Sequence, residues 1–279
     1  MFPGYLSIPP AKLGEGSNVR VRILGDMASV AQDFAQTLKR EIVEANLAGR
    51  QATFIVPIGP VDPYPLLAEM LNDEKISCRN VLVIGMDEYL DENGDWVAEN
   101  HPLSFRGYLK RMFYDRLDTE LAPPPGQQVF PDPRSLSSVP KLIGARGGVD
   151  VCFAGVGING HLAFNEPPEP GETISVEAFA ALPTRVLRLS RETRTINSIT
   201  VGGQISVIPA RAVTIGMKEI LAARRLRIYC NRPWQSAVVR QVLHGPISAS
   251  CPASLIRTHR DAMMTVAEHV GAIPDIRLR

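Results

Sequence analysis

The stretch Val149-Asp150-Val151-Cys152-Phe153-Ala154-Gly155-Val156-Gly157 decides how the chain folds. Five of its first six residues are apolar and it breaks into glycines, the pattern of a strand buried on both faces that ends in a turn. The same unit recurs on either side. Phe54-Ile55-Val56-Pro57-Ile58 runs into Gly59-Pro60, and Val81-Leu82-Val83-Ile84-Gly85 runs into Met86-Asp87. Further strands are expected over residues 212–216, 227–230 and 263–266. Residues 184–189 alternate apolar with arginine, as a half-exposed strand does.

Helical patterns separate these runs. Val30, Phe34, Leu38 and Ile42 form the apolar stripe of a helix over residues 29–47, with Gly49 placed to end it. Shorter helices are expected over 65–71, 104–117, 218–223 and 236–243. Buried strands alternating with helices predict an α/β fold: a single doubly wound, mostly parallel sheet with helices on both faces. Residues 1–18, rich in Pro and Gly, read as an extended arm, and 19–279 as one domain. The Pro-rich stretch 122–140 reads as a surface excursion, and no internal repeat is found.

Composition agrees. The chain has 279 residues, 45% of them hydrophobic and 21% charged, which excludes a disordered chain or a coiled coil. Lys and Arg number 30 against 29 for Asp and Glu, giving a net charge of +1. That balance provides no whole-chain field for nucleic acid or an acidic membrane. Cys78, Cys152, Cys230 and Cys251 show no CxxC spacing and read as buried, reduced thiols. No apolar run approaches the ~18 residues of a membrane span, and no basic leader opens the chain. The expectation is a soluble, cytoplasmic protein.

In parallel α/β sheets ligands bind beyond the carboxyl ends of the strands, so the turns there matter most. Met86-Asp87-Glu88-Tyr89 places two carboxylates at one such end, as a general base or as a turn cap. Gly155-Val156-Gly157-Ile158-Asn159-Gly160 is a literal GxGxxG. A dinucleotide fingerprint needs a long helix from its third glycine, and Pro167-Pro168 forbids one. What remains is a glycine turn that can approach a ligand closely, beside His161 and Glu166. A histidine there, with a carboxylate to orient it, suits proton transfer. Residues 57–63 are a poor anion cradle, because Pro60 and Pro63 lack backbone donors and Val61 lacks a hydroxyl.

At these residues the sequence resembles the glucosamine-6-phosphate deaminase/isomerase family, from about residue 20 to about 270. Met86 to Tyr89 is similar to that family's Asp-Glu-Tyr turn. Glu99 to Phe105 is similar to the stretch that follows it, which ends in Ser-Tyr. Gly155 to Pro167 is similar to its signature Gly-x-Gly-x-Asp/Asn-Gly-His-Ile-x-Phe-Asn-Glu-Pro. Val213 to Met217, and Gly245-Pro246 through Ser254, also match. The resemblance implies a modified Rossmann-like fold and an amino-sugar aldose–ketose isomerase/deaminase. Asp87 would move a proton between C2 and C1 of the open-chain sugar. His161 would help open the ring, oriented by Glu166 and Asn159. Gly59, Glu88, Gly157 and Gly160 would bind substrate. No metal or other cofactor is implied, and the partner is a small-molecule sugar. Self-association is an expectation of the resemblance alone.

The departures concern the phosphate. Ile58-Gly59-Pro60-Val61 stands where the family usually has Thr-Gly-Gly-Thr or Thr-Gly-Ser-Thr. Ile199 stands in place of an arginine, and Gln235 or Trp234 in place of a lysine. A phosphate held without these groups forgoes charge-assisted hydrogen bonds worth about 1.5–3 kcal/mol each. The expected substrate is therefore an unphosphorylated or differently substituted amino sugar, unless Arg232, Arg194 or Arg185 supplies the charge. Two rivals stand beside this reading. Sugar lactone hydrolases of the 6-phosphogluconolactonase type share the fold family but usually lack the Phe-Asn-Glu-Pro continuation, here Phe164 to Pro167. A non-catalytic sugar sensor would not need Asp87, His161 and Glu166 together.

Overall fold

The computed structural model describes residues 2–59 and 62–277. Its strands are β1 (Val19–Leu24), β2 (Ala52–Val56), β3 (Val81–Gly85), β4 (Asp87–Leu90), β5 (Gln128–Val129), β6 (Val151–Ala154), β7 (Arg185–Arg188), β8 (Arg211–Thr214), β9 (Arg225–Cys230) and β10 (Ala262–Ala267). The helices are α1 (Met27–Leu47), α2 (Tyr64–Asp73), α3 (Phe105–Met112), α4 (Ser138–Ala145), α5 (Val176–Ala180), α6 (Arg191–Asn197), α7 (Met217–Leu221), α8 (Gln235–His244) and α9 (Glu268–Gly271).

Seven strands form one sheet in the order β1-β10-β9-β6-β2-β3-β5, with every pairing parallel. All residues of β2, β3 and β6 are buried, as their near-continuous apolar runs lead one to expect. The chain builds outward from the β2–β6 pair in both directions, so the crevice between these strands is the switch point at which such sheets bind ligands.

Helix α1 lays its apolar stripe on this sheet. Phe34 stacks on Phe153 at 4.9 Å and on Tyr229 at 4.4 Å between ring centroids. Asp26 caps the helix by accepting from the Ser29 N–H. Gly49, at φ +61°, ends it: its N–H bonds to Asn46 and that of Arg50 to Ala45, a Schellman motif. The four cysteines are buried and unpaired, as expected.

A second sheet, in the order β4-β8-β7 and antiparallel, was not foreseen. Residues 184–189 and 212–216 do form strands, but these pair with each other and with β4 rather than joining the main sheet. Met86 hinges the two sheets: its N–H donates to Val56 and its carbonyl accepts from Ile215. The segment that reads as an arm begins with 3-10 turns at Gly4–Ser7 and Pro10–Lys12. Buried Arg240 of α8 donates to the Ile8 carbonyl there. Among the described residues no helix is long and apolar enough to cross a membrane.

Candidate active site

The carboxyl ends of β9, β6, β2 and β3 open into one cavity of about 560 Å³, a size that receives small-molecule ligands. Pro57, Ile58 and Gly59 follow β2, and Met86 and Asp87 follow β3. Gly155, Val156, Gly157 and His161 follow β6, while Arg232 and Trp234 follow β9. Ile196, Asn197, Ile199 and Thr200 cover it from α6 and the turn after it. Pro60 and Val61, part of the expected phosphate turn, lie outside the described residues.

Asp87 opens β4, so its position is set by pairing with Thr214 on β8. The residue is 5% exposed, and its carboxylate makes no hydrogen bond among the described residues. Burial, and then the neighbouring Glu88, push its pKa well above the usual carboxylate range. A shift in that direction brings a carboxylate closer to neutral pH, where a general base takes a proton more effectively.

Successive strand residues face opposite ways, so Glu88 points away from the cavity. Expected to bind substrate, it is not among the described residues that line the cavity. Its carboxylate accepts from the N–H groups of Tyr89, Phe105 and Arg106 and from the Ser104 hydroxyl, all at 2.9–3.0 Å. It therefore anchors the amino terminus of α3, where a negative charge is favoured. Burial raises its pKa, against the lowering effect of these donors.

His161 reaches the cavity from the glycine turn. Its Nδ1 lies 2.8 Å from Asn159 Oδ1 and 3.2 Å from Thr193 Oγ1. An Nδ1–H donated to Asn159 leaves Nε2 as the free face of the ring. Glu166 Oε2 stands 3.6 Å from Nδ1, an electrostatic rather than hydrogen-bonded distance, and accepts from Asn159 Nδ2 at 2.7 Å. Burial works to raise the Glu166 pKa, but His161, Asn159 and Thr193 together hold it down to about 2. Asn159 and Glu166 thus stand behind the imidazole rather than lining the cavity.

Two of the expected glycines, Gly59 and Gly157, line the cavity. Gly160, also expected to bind substrate, is not among the described lining residues. It sits at φ +85°, and a β-carbon there would stand 2.6 Å from Cys251 Sγ. It is needed to turn the chain. No helix begins at Gly160, so the GxGxxG is no dinucleotide site. Ala163 also lies at φ +50°, an uncommon conformation for a residue with a side chain, and faces the cavity. Among the described residues no group of three or more His, Cys, Asp or Glu could hold a metal ion.

Sequence reasoning missed part of the surround. Tyr89, Phe105 and Phe164 pack together at 4.9–6.0 Å between centroids and form an aromatic wall. The Tyr89 hydroxyl accepts from Asn197 at 2.8 Å, fastening α6 over the cavity. Ser190 caps α6 at Thr193 and accepts from Asn159, linking that helix to the histidine. The Ser190-x-x-Thr193 spacing was a legible cap signal.

At the expected phosphate end, Ile199 and Trp234 do line the cavity. Gln235 does not: it is fully buried, donating to the Val156 carbonyl and accepting from the Arg232 N–H. Arg185 is bonded to Asn165 Oδ1, and Arg194 to the carbonyls of Ile205 and Ile208. Arg232 is the one Arg or Lys among the described lining residues.

No protein-family model matches the chain. It is 30% identical over 215 residues to the glucosamine-6-phosphate deaminase of Bacillus velezensis, covering 75% of this chain and 81% of that protein. To the glucosamine-6-phosphate deaminase of Pseudoalteromonas translucida it is 29% identical over 263 residues, covering 91% and 90%. To that of Exiguobacterium sibiricum it is 27% identical over 241 residues, covering 85% and 86%. Among solved structures it superposes on a monomeric glucosamine-6-phosphate deaminase with a TM-score of 0.76 at 23% identity, over 92% of this chain and all of the other. A 6-phosphogluconolactonase from Trypanosoma cruzi aligns with a TM-score of 0.63 at 13% identity, over 90% of this chain and 95% of the other.

The shared fold puts the chain in the α/β class common to these deaminases and lactonases. Within that class the sequence relatives decide: the chain belongs to the glucosamine-6-phosphate deaminase family.

Proposed function

We propose that this enzyme converts a 2-amino-2-deoxy aldose to the corresponding ketose and releases the amine as ammonia. The observation that carries the reading is that Asp87 and His161, from two separate strand-end turns, line one cavity. His161 moves the proton between the ring oxygen and O1 as the sugar opens, with Asn159 and Glu166 fixing its tautomer. Asp87 then takes the C2 proton as an ammonium proton of the substrate passes to O1, and delivers the C2 proton to C1, leaving a C2 iminium beside a C1 hydroxymethyl. Water adds at C2, the C–N bond breaks, and ammonia leaves as the ketone forms. A buried carboxylate with a raised pKa is a competent base for this step, and the substrate's own ammonium favours its ionised form.

Gly59 allows the sugar to approach the backbone, Gly157 makes room for the His161 ring, and the aromatic wall of Tyr89, Phe105 and Phe164 shields the reacting carbons from water. Four buried unpaired thiols suit a reducing compartment, so we place the enzyme in the cytoplasm.

The experiment is Asp87→Asn. Ammonia release and ketose formation are followed with glucosamine, glucosamine 6-phosphate and 2-amino-2-deoxyglucuronate. The reading expects turnover of at least one sugar by the wild type and a loss of about 10²–10⁴-fold in the variant. Undiminished turnover in the variant contradicts it.

A further inference from the structure

We propose that Arg232 is the specificity-determining residue of this site, and that it receives a single carboxylate on the end of the sugar remote from the amine. The proposal rests on the reading just given and names the substrate class for it.

The geometry comes from the strand order. Asp87 follows β3 and Arg232 follows β9, with β2 and β6 between them. The two residues therefore hold opposite ends of the cavity, three inter-strand spacings or about 14 Å apart at the backbone. His161 projects from the β6 end between them. A sugar whose C1 and C2 lie at Asp87 and His161 points its other end toward β9.

Arg232 is half-buried, and its guanidinium makes no hydrogen bond or ion pair among the described residues. Its backbone N–H is held by Gln235 Oε1 at 2.8 Å, which fixes where the side chain leaves the turn. The same cavity wall carries the apolar side chains of Trp234, Ile199 and Ile58. An unpaired guanidinium among apolar walls is a receptor for an anion.

Two features select one negative charge over two. Arg232 brings one positive charge, and no Lys or second Arg lines the cavity among the described residues. The Thr200 hydroxyl, also in the wall, already donates to the Asn197 carbonyl. A phosphate ester, with close to two charges at neutral pH, would be left half-neutralised. A carboxylate is neutralised by one guanidinium, whose planar fork matches it with two parallel hydrogen bonds.

The test compares kcat/KM for 2-amino-2-deoxyglucuronate, glucosamine and glucosamine 6-phosphate in the wild type, R232M and R232K, with thermal melting to verify folding. The wild type is expected to prefer the uronate over both others by about ten- to a hundredfold, the worth of a charge-assisted pair. R232M brings the uronate-to-glucosamine ratio to within about twofold. R232K, with charge but no fork, retains part of it. Faster turnover of glucosamine 6-phosphate than of the uronate by the wild type overturns the proposal. So does a uniform loss for all three sugars in R232M. If the wild type turns over glucosamine without preferring the uronate and D87N is inactive, the role of Arg232 fails while the isomerase reading stands. If no amino sugar is turned over, both fail.

Discussion

The imidazole of His161 lies directly against Gly157: a β-carbon at that glycine would stand 2.1 Å from both Cε1 and Nε2 of the ring. The absence of a side chain at one position of the turn thus sets the direction of the catalytic candidate four residues later. Gly157→Ala is expected to push the ring out of the cavity, because the obstructing atoms belong to a side chain that can rotate away. The fold should tolerate the change, since an added methyl also restricts the unfolded chain. We expect kcat/KM to fall about 10²–10⁴-fold, with a melting temperature within a few degrees of wild type. Retained activity would separate His161 from the chemistry.

Burial and Glu88 raise the Asp87 pKa, so the acid limb of the kcat/KM profile should lie well above the usual carboxylate range rather than near pH 4. Turnover is expected to fall as pH drops through that limb, because the base becomes protonated. Glu88→Gln removes the charge contribution but not the burial. The limb should then move to lower pH, while α3 loses about 1–3 kcal/mol of anchoring from its unsatisfied donors. A pH–rate profile alongside urea unfolding separates the two effects.

Glu166 behaves oppositely. Its folded pKa of about 2 lies below its ordinary 4.5, so its ionisation stabilises the fold above pH 4.5. That contribution should disappear as pH falls from about 4.5 to 2. Other buried carboxylates such as Glu41, raised mainly by burial, pull the other way. The clean measurement is therefore the difference between wild type and Glu166→Gln. The unfolding free energies should differ most near neutrality and converge toward pH 2.

Arg240 is fully buried, has no carboxylate partner among the described residues, and donates to the carbonyls of Ile8, Ser236, Val270 and Gly271. Arg240→Met leaves several buried acceptors unpaired, each costing about 1–3 kcal/mol. We expect a total loss above about 3 kcal/mol in urea unfolding and faster proteolysis ahead of Leu13. Arg240 is not among the residues lining the cavity, so catalysis should survive below the new melting temperature.

The strands most legible in the sequence were those buried on both faces. Residues 54–58, 81–85 and 149–154 carry near-continuous apolar runs, and the structure puts their strands at the centre of the sheet. Edges were harder. β1 reads Val-Arg-Val-Arg-Ile-Leu, half exposed, and β5 is two residues inside a Pro-rich stretch. β4 reads Asp-Glu-Tyr-Leu, which looks like a turn because its burial comes from the second sheet and from polar satisfaction of Glu88. Helix α6, Arg-Glu-Thr-Arg-Thr-Ile-Asn, has no apolar stripe and is held by the Ser190 cap and the Tyr89–Asn197 bond.

The site followed the same division. Asp87 and His161 were legible because each follows a recognisable buried strand. Glu88 and Asp87 could not be told apart in sequence, because adjacent carboxylates look alike while strand geometry sends them to opposite sides. Thr193 and the aromatic wall come from segments brought together only by the antiparallel sheet.

The most direct measurement of the central claim follows a deuterium placed at C2 of the amino sugar. During wild-type turnover the label should leave C2 as ammonia appears, and be found at C1 of the ketose or in water. Asp87→Asn should leave it at C2 with no ammonia released. Label retained at C2 while the wild type consumes the sugar, or removed at the wild-type rate by Asp87→Asn, would contradict the account.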